Sequence, residues 1–164
     1  MLIFLSGHGK TVSSGFYFLP FDFDVAKFFG GSTSSALSSD EILQILNKSR
    51  ATRQVLILDA CEAGGGGDLG HVRPLSGRSF HFLAAAQATQ RAMEISELGH
   101  GLLTYVLLQR LHESFGTNRT ETVGSLLDWS QKKVTRLSAM YDSTRPQSPR
   151  YWHTGSDFVL TGMK

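Results

Sequence analysis

The chain has 164 residues, of which 41% are hydrophobic and 18% charged, which suits one globular domain over residues 1–164 with a real core and excludes wholesale disorder. The formal net charge of +2, spread without a Lys/Arg block, gives no footing for nucleic acid or an anionic membrane. No run approaches the ~18 apolar residues of a membrane span, and the short apolar opening is no signal core, so a single cysteine, Cys61, sets a reducing cytoplasm as the expected compartment.

Residues 1–5 read as an apolar strand that runs directly into Ser6-Gly7-His8-Gly9. Residues 10–14 are polar and turn-like, and residues 16–19 read as a short aromatic strand stopped by Pro20, which lacks the ladder donor. A loop with Asp22 and Asp24 then passes through Phe28-Phe29-Gly30-Gly31 into a serine-rich segment. Ser38 or Ser39 caps a helix that opens at Asp40-Glu41 and turns Ile42, Leu43, Ile45 and Leu46 inward. Residues 55–59 have the continuous apolar character of a parallel strand buried on both faces, and they deliver Ala60-Cys61 at its carboxyl end. Residues 63–79 are a glycine-rich loop, in which four consecutive glycines disfavour regular structure. Next come a strand over 80–86, a polar loop over 87–97, amphipathic helices over 101–114 and 120–139, a non-helical tail at 145–149 and a last strand at 158–160.

A strand, a crossover and a parallel strand bring both strand ends to one sheet edge, where ligands bind in open α/β sheets. His8 and Cys61 therefore meet. A cysteine nucleophile needs a base or imidazolium beside it, and a histidine roughly 50 residues before the cysteine is the spacing found in caspases. The plainer fate of a lone cysteine is a small core residue, and that of His8 a core histidine bonded to backbone. Asp59, two residues before Cys61, shares its strand face and suits either a cationic substrate side chain or structural backbone amides. His100, in a second Gly-His-Gly, opens a helix and reads as structural. The glycine run lacks the Gly-Lys-Ser/Thr of a phosphate loop, and the histidines show no zinc spacing with Cys61.

Taken together, Ser6-Gly7-His8-Gly9, Asp59-Ala60-Cys61, Phe82-Leu83-Ala84-Ala85-Ala86, Gly99-His100-Gly101-Leu102-Leu103-Thr104-Tyr105, Pro149 and Asp157-Phe158-Val159-Leu160 resemble the caspase-like cysteine peptidases. Within them the likeness is to metacaspases and bacterial caspase-homologue domains, almost from end to end. The resemblance implies a three-layer α/β/α sandwich with a mostly parallel sheet, whose strands before the histidine strand are missing here. An amino-terminal partner segment or self-association is then expected. It further implies a cysteine endopeptidase acting on a protein or peptide, with His8 as general base and later acid and Cys61 as nucleophile. The backbone amides of Gly9 and Cys61 would form the oxyanion hole, and Asp59 with Ser6 a pocket for Arg or Lys.

No cofactor is required by this chemistry. Asp22, Asp40, Glu41 and Asp68 fall near the positions where calcium-dependent metacaspases gather acids, although Asp40 and Glu41 equally suit a helix amino terminus. Arg78 and Arg73, in the loop after the nucleophile, are expected self-processing sites, with Arg78 favoured because Pro74 follows Arg73. Two rival functions share the resemblance: a non-proteolytic interaction or scaffold module, and a hydrolase of small acyl substrates.

Overall fold

Alternating strand faces decide where the apolar residues of this chain go, and the layers follow from them. The computed structural model describes residues 1–12, 15–65, 77–116 and 120–161. In chain order the elements are β1 (Leu2–Val12), β2 (Gly15–Leu19), α1 (Val25–Phe29), β3 (Leu37–Ser38), α2 (Ser39–Lys48), β4 (Arg53–Ala60), β5 (Ser79–Ala84), β6 (Glu94–Ile95), β7 (His100–Gly101), α3 (Leu102–Gly116), β8 (Glu121–Thr122), α4 (Val123–Tyr141), β9 (Arg150–Thr154) and β10 (Val159–Thr161). The main sheet has six strands in the order β3-β2-β1-β4-β5-β9. β1, β4 and β5 are parallel, while the β1–β2, β2–β3 and β5–β9 pairs are antiparallel, so four of the six strands run one way.

β4 is central, and every side chain from Gln54 to Ala60 is buried. Leu56, Leu58, Phe80 and Phe82 pack against Ile42 and Leu46 of α2 on one face. Val55, Ile57 and Leu83 pack against Leu103 and Val106 of α3 and Leu127 and Val134 of α4 on the other. Complete burial of such a side chain contributes ~1.5–3 kcal/mol, so these two cores, not exposed pairs such as Asp128–Lys132, carry the stability. α2 starts where the sequence places it. The Ser38 hydroxyl accepts the Glu41 amide at 3.2 Å and the Glu41 carboxylate accepts the Ser38 amide at 2.9 Å.

Several expectations are corrected. β1 does not stop at residue 5 but continues through the polar residues to Val12, because its second half pairs with β2 from His8↔Leu19 to Val12↔Gly15. The segment around Phe28-Phe29 is helical, with Asp24 accepting the Lys27 amide at 3.0 Å as its cap; five residues are too few to show a helical period. The polar loop at 87–97 contains β6, which pairs with β7, so His100 lies on a short strand and the helix begins at Leu102. The strand that closes the main sheet is β9, which the sequence pattern does not reveal, whereas β10 pairs with β8. Trp152 of β9 lies against Phe80 and Phe82 on one face, and Tyr151 and His153 stack with His81 on the other. Of the glycine-rich loop, residues 66–76 lie outside the described residues.

On β1, the segment from Leu2 to Gly7 pairs with β4 along one edge, and no described strand pairs with its other edge. Leu2 and Phe4 are exposed there, as expected for an apolar strand with an open side.

His81 has no exposed surface; its Nδ1 lies 2.9 Å from the Tyr151 hydroxyl, and its Nε2 is 3.7 Å from Asp157. Burial pushes its pKa down, Asp157 pulls the other way, and neighbouring His153 adds to the lowering. An unfolded histidine titrates near ~6.5, so as pH falls through that value the unfolded state takes up a proton that the fold resists, and stability falls. The melting temperature is expected to drop by a few degrees between pH 7.5 and 5.5. His81→Gln should flatten that dependence whatever its absolute cost; an unchanged pH dependence in the variant would contradict this account.

Candidate active site

β1 and β4 pair in parallel from Leu2↔Val55 to Gly7↔Ala60. His8 is the next residue of β1 and Cys61 the first after β4, and His8 is also where β1 takes β2 as its partner. The two side chains line one groove of about 510 Å3, with His8 exposed and Cys61 half-buried. The strands close up tightly at this point. A Cβ on Gly9 would lie 2.7 Å from the Cys61 carbonyl oxygen and 2.6 Å from the Phe16 ring, so only glycine fits.

The turn after Cys61 is held with similar precision. Glu62 has φ 56°, a left-handed conformation that costs a non-glycine residue of order 1–3 kcal/mol unless its surroundings impose it. Here they do. Its carboxylate accepts the Thr11 amide at 2.9 Å and pairs with Lys10 at 2.8 Å, the Thr11 hydroxyl donates to its carbonyl at 3.0 Å, and its amide donates to the Gln90 carbonyl at 2.8 Å. Burial pushes the Glu62 carboxyl up, but the bonds from Lys10 and Thr11 outweigh it and hold the pKa below its usual value. The histidine strand is thereby strapped to the cysteine turn.

Asp59 is 4% exposed and accepts both the amide of Thr104, at 3.0 Å, and the Thr104 hydroxyl. Thr104 is in the first turn of α3, so Asp59 satisfies a free amide of that helix end. A Cβ on Gly101 would lie 2.7 Å from the carboxylate, which explains glycine there. Burial raises the Asp59 pKa, the Thr104 bonds work against that, and Glu94 adds to the rise. In front of Thr104 and Gly101 lies a polar pocket of about 370 Å3, also lined by Ser6, Glu94 and His100. Glu94 lines the groove of His8 and Cys61 as well, and so joins the two spaces.

The remaining candidates fall elsewhere. Asp22, Asp40 and Glu41 are not gathered into a metal-binding group among the described residues, Glu41 being engaged with Ser38, and Asp68 lies outside those residues. Arg73 also lies outside them. Arg78 precedes β5 at the edge of the sheet opposite Cys61, and its guanidinium reaches the carbonyls of Leu46 and Asn47 at 3.4 and 3.5 Å. With ~3.3 Å per strand residue, the length of β4, about 26 Å, separates Arg78 from Cys61 of the same chain. A larger hollow of about 680 Å3 between residues 89–93 and 142–148 holds neither His8 nor Cys61, so the smaller groove is the candidate.

Glu62 and Glu94 are not singled out by the sequence. Their signals are thin: an acid directly after the cysteine, and an acid before an isolated Ile in a polar segment. Glu62→Gly leaves the turn conformation freely accessible while deleting the strap. Turnover is expected to fall several-fold with a melting temperature within a few degrees of the parent. Unchanged turnover would show that the strap does not position the cysteine.

The chain matches the family model described as the caspase domain, of the C14 peptidases, over residues 1–157. No curated protein matches it. A match of that extent accords with the six-stranded sheet covered by helices on both faces and with a half-buried cysteine at a strand end. The chain belongs to the caspase domain family of peptidases, and its fold is caspase-like α/β.

Proposed function

We propose that the protein is a cysteine endopeptidase with a His8–Cys61 dyad that cleaves peptide bonds after Arg or Lys. The observation that carries the reading is the single groove in which an exposed imidazole and a half-buried thiol adjoin a pocket bearing a carboxylate, Glu94, with Asp59 behind it. The family supports cysteine peptidase chemistry on protein substrates.

In this mechanism the Cys61 thiolate attacks the scissile carbonyl. The oxyanion that forms is met by the backbone amides of Gly9 and Cys61. His8 takes the thiol proton and passes it to the leaving amine, so an acyl thioester remains on Cys61 until water, deprotonated by His8, releases the acid. The cation of the residue before the bond enters beside Ser6 and Glu94, and Asp59 supplies charge through the floor. Asp59 has its pKa raised by burial, and a guanidinium entering the pocket favours the ionised form.

Cys61→Ala and His8→Ala are each expected to lower peptide hydrolysis by ~10³-fold or more, and the double variant to be little worse, because the pair acts as a unit. Asp59→Asn and Glu94→Gln should each lower kcat/KM for an Arg peptide by at least about tenfold while leaving alkylation of Cys61 by a neutral reagent nearly unchanged. KM for the Arg peptide should also fall as pH rises through the elevated Asp59 pKa, and less so in Asp59→Asn. Turnover retained in Cys61→Ala would overturn the mechanism, and equal loss of hydrolysis and alkylation would mark Asp59 as structural only. Hydrolysis of small acyl esters with no cleavage of any peptide would favour the acyl-hydrolase reading.

A further inference from the structure

On the β2 side of β1 lies a second hollow of about 760 Å3, which shares Ser6 with the polar pocket and whose apolar part the peptidase chemistry above does not use. Ser6, Gly7 and His8 form one wall, and the rest is apolar: Leu19, Phe21, Phe23, Val25 and Phe29 are its principal residues. No Asp, Glu, Lys or Arg among the described residues lines it. Three of these side chains are largely in water, with Val25 at 58%, Phe29 at 75% and Phe21 fully exposed. A cluster of large exposed apolar side chains beside a reactive group is the kind of patch that marks a binding site.

The hollow rests on a firm base. Phe28 is buried and meets Tyr17, Phe23 and Phe29 edge-on at centroid distances of 5.5, 5.2 and 5.7 Å. Tyr17 lies opposite Lys10, two residues beyond His8 on the same strand face. The hollow is also continuous with the groove of Cys61, which shares His8, Leu19, Phe23 and Phe29 with it.

Chemistry assigns a direction to this arrangement. The group that protonates the leaving amine must touch that nitrogen, so the chain departing with the amine leaves on the side of His8. In that reading the polar pocket, lined by Glu94, takes the residue before the bond, and the aromatic hollow, lined by His8 but by neither Cys61 nor Glu94, faces the residues after it. Resting on the endopeptidase reading, we propose that this hollow is a subsite for a large apolar or aromatic side chain within the first two residues on the amine side of the scissile bond.

The test uses the full chain and internally quenched peptides with Arg before the bond, varied only at the first two positions after it among Phe, Leu, Ser and Asp. The subsite predicts kcat/KM about tenfold or more higher with Phe or Leu at one of these positions than with Ser or Asp. Phe29→Ser and Phe21→Ser, both at exposed side chains and checked for folding by their melting curves, should bring that ratio close to one. The preference for Arg over Ala before the bond should persist in both. Arg-dependent cleavage with no discrimination in the wild type would overturn the subsite and leave the peptidase reading standing. An apolar preference that survives both substitutions would also overturn it, and no cleavage of any Arg peptide would overturn both readings together.

Discussion

The parallel pairing of β1 with β4 is the constraint on which the site depends. Strand side chains alternate, so a slip of one residue between these strands would turn His8 and Cys61 to opposite faces. The register is fixed from several directions. Ile3 and Leu5 pack on the α2 side beside Leu56 and Leu58, Gly9 admits the Cys61 carbonyl where no Cβ fits, and Glu62 binds both Lys10 and Thr11. Hydrophobic burial chooses the face, and the polar strap fixes the position along the strand.

The same economy of polar contacts holds the rest of the edge. Gln147 is nearly fully buried, donating to the Ala85 carbonyl at 2.7 Å and accepting the Met93 amide at 2.8 Å, while its own amide donates to the Ser138 hydroxyl at 2.8 Å. One residue thus ties the end of β5 and the segment leading to Glu94 through its side chain, and α4 through its backbone amide. Gln90 adds bonds from that segment to Pro146 and Ser148 and, through its carbonyl, to Glu62. A buried amide with its partners in place is costly to disturb, since each group left unsatisfied costs ~1–3 kcal/mol. The walls of the groove are in this way attached to the core and not to solvent-facing loops.

The legibility of each segment in the sequence has a physical reason. β4 announced itself because a strand covered on both faces must be apolar throughout, and Cys61 at its end followed from that. The capped start of α2 was legible for an equally local reason, the Ser38 and Glu41 spacing. β9 was not, because its Arg150-Tyr151-Trp152-His153-Thr154 is aromatic and polar at once, and its worth as a strand lies in stacking on His81 and in an edge-on contact with Phe80, both far away in sequence. The second half of β1 looked like a turn because Lys10 and Thr11 are polar, yet their polarity serves Glu62. Asp59 showed its face but not its partner, since only the fold brings Thr104 to it.

Whether the His8–Cys61 pair works as the proposed dyad is tested most directly by trapping the acyl carrier. An Arg-terminated peptide with a thiol-reactive warhead, followed by intact-mass measurement and mapping of the modified peptide, reports both recognition and the reacting atom. The account predicts one adduct, on Cys61, formed much faster than with an Asp-terminated analogue and slowed strongly by His8→Ala. An adduct elsewhere, or equal labelling of Cys61 with and without His8, would contradict it.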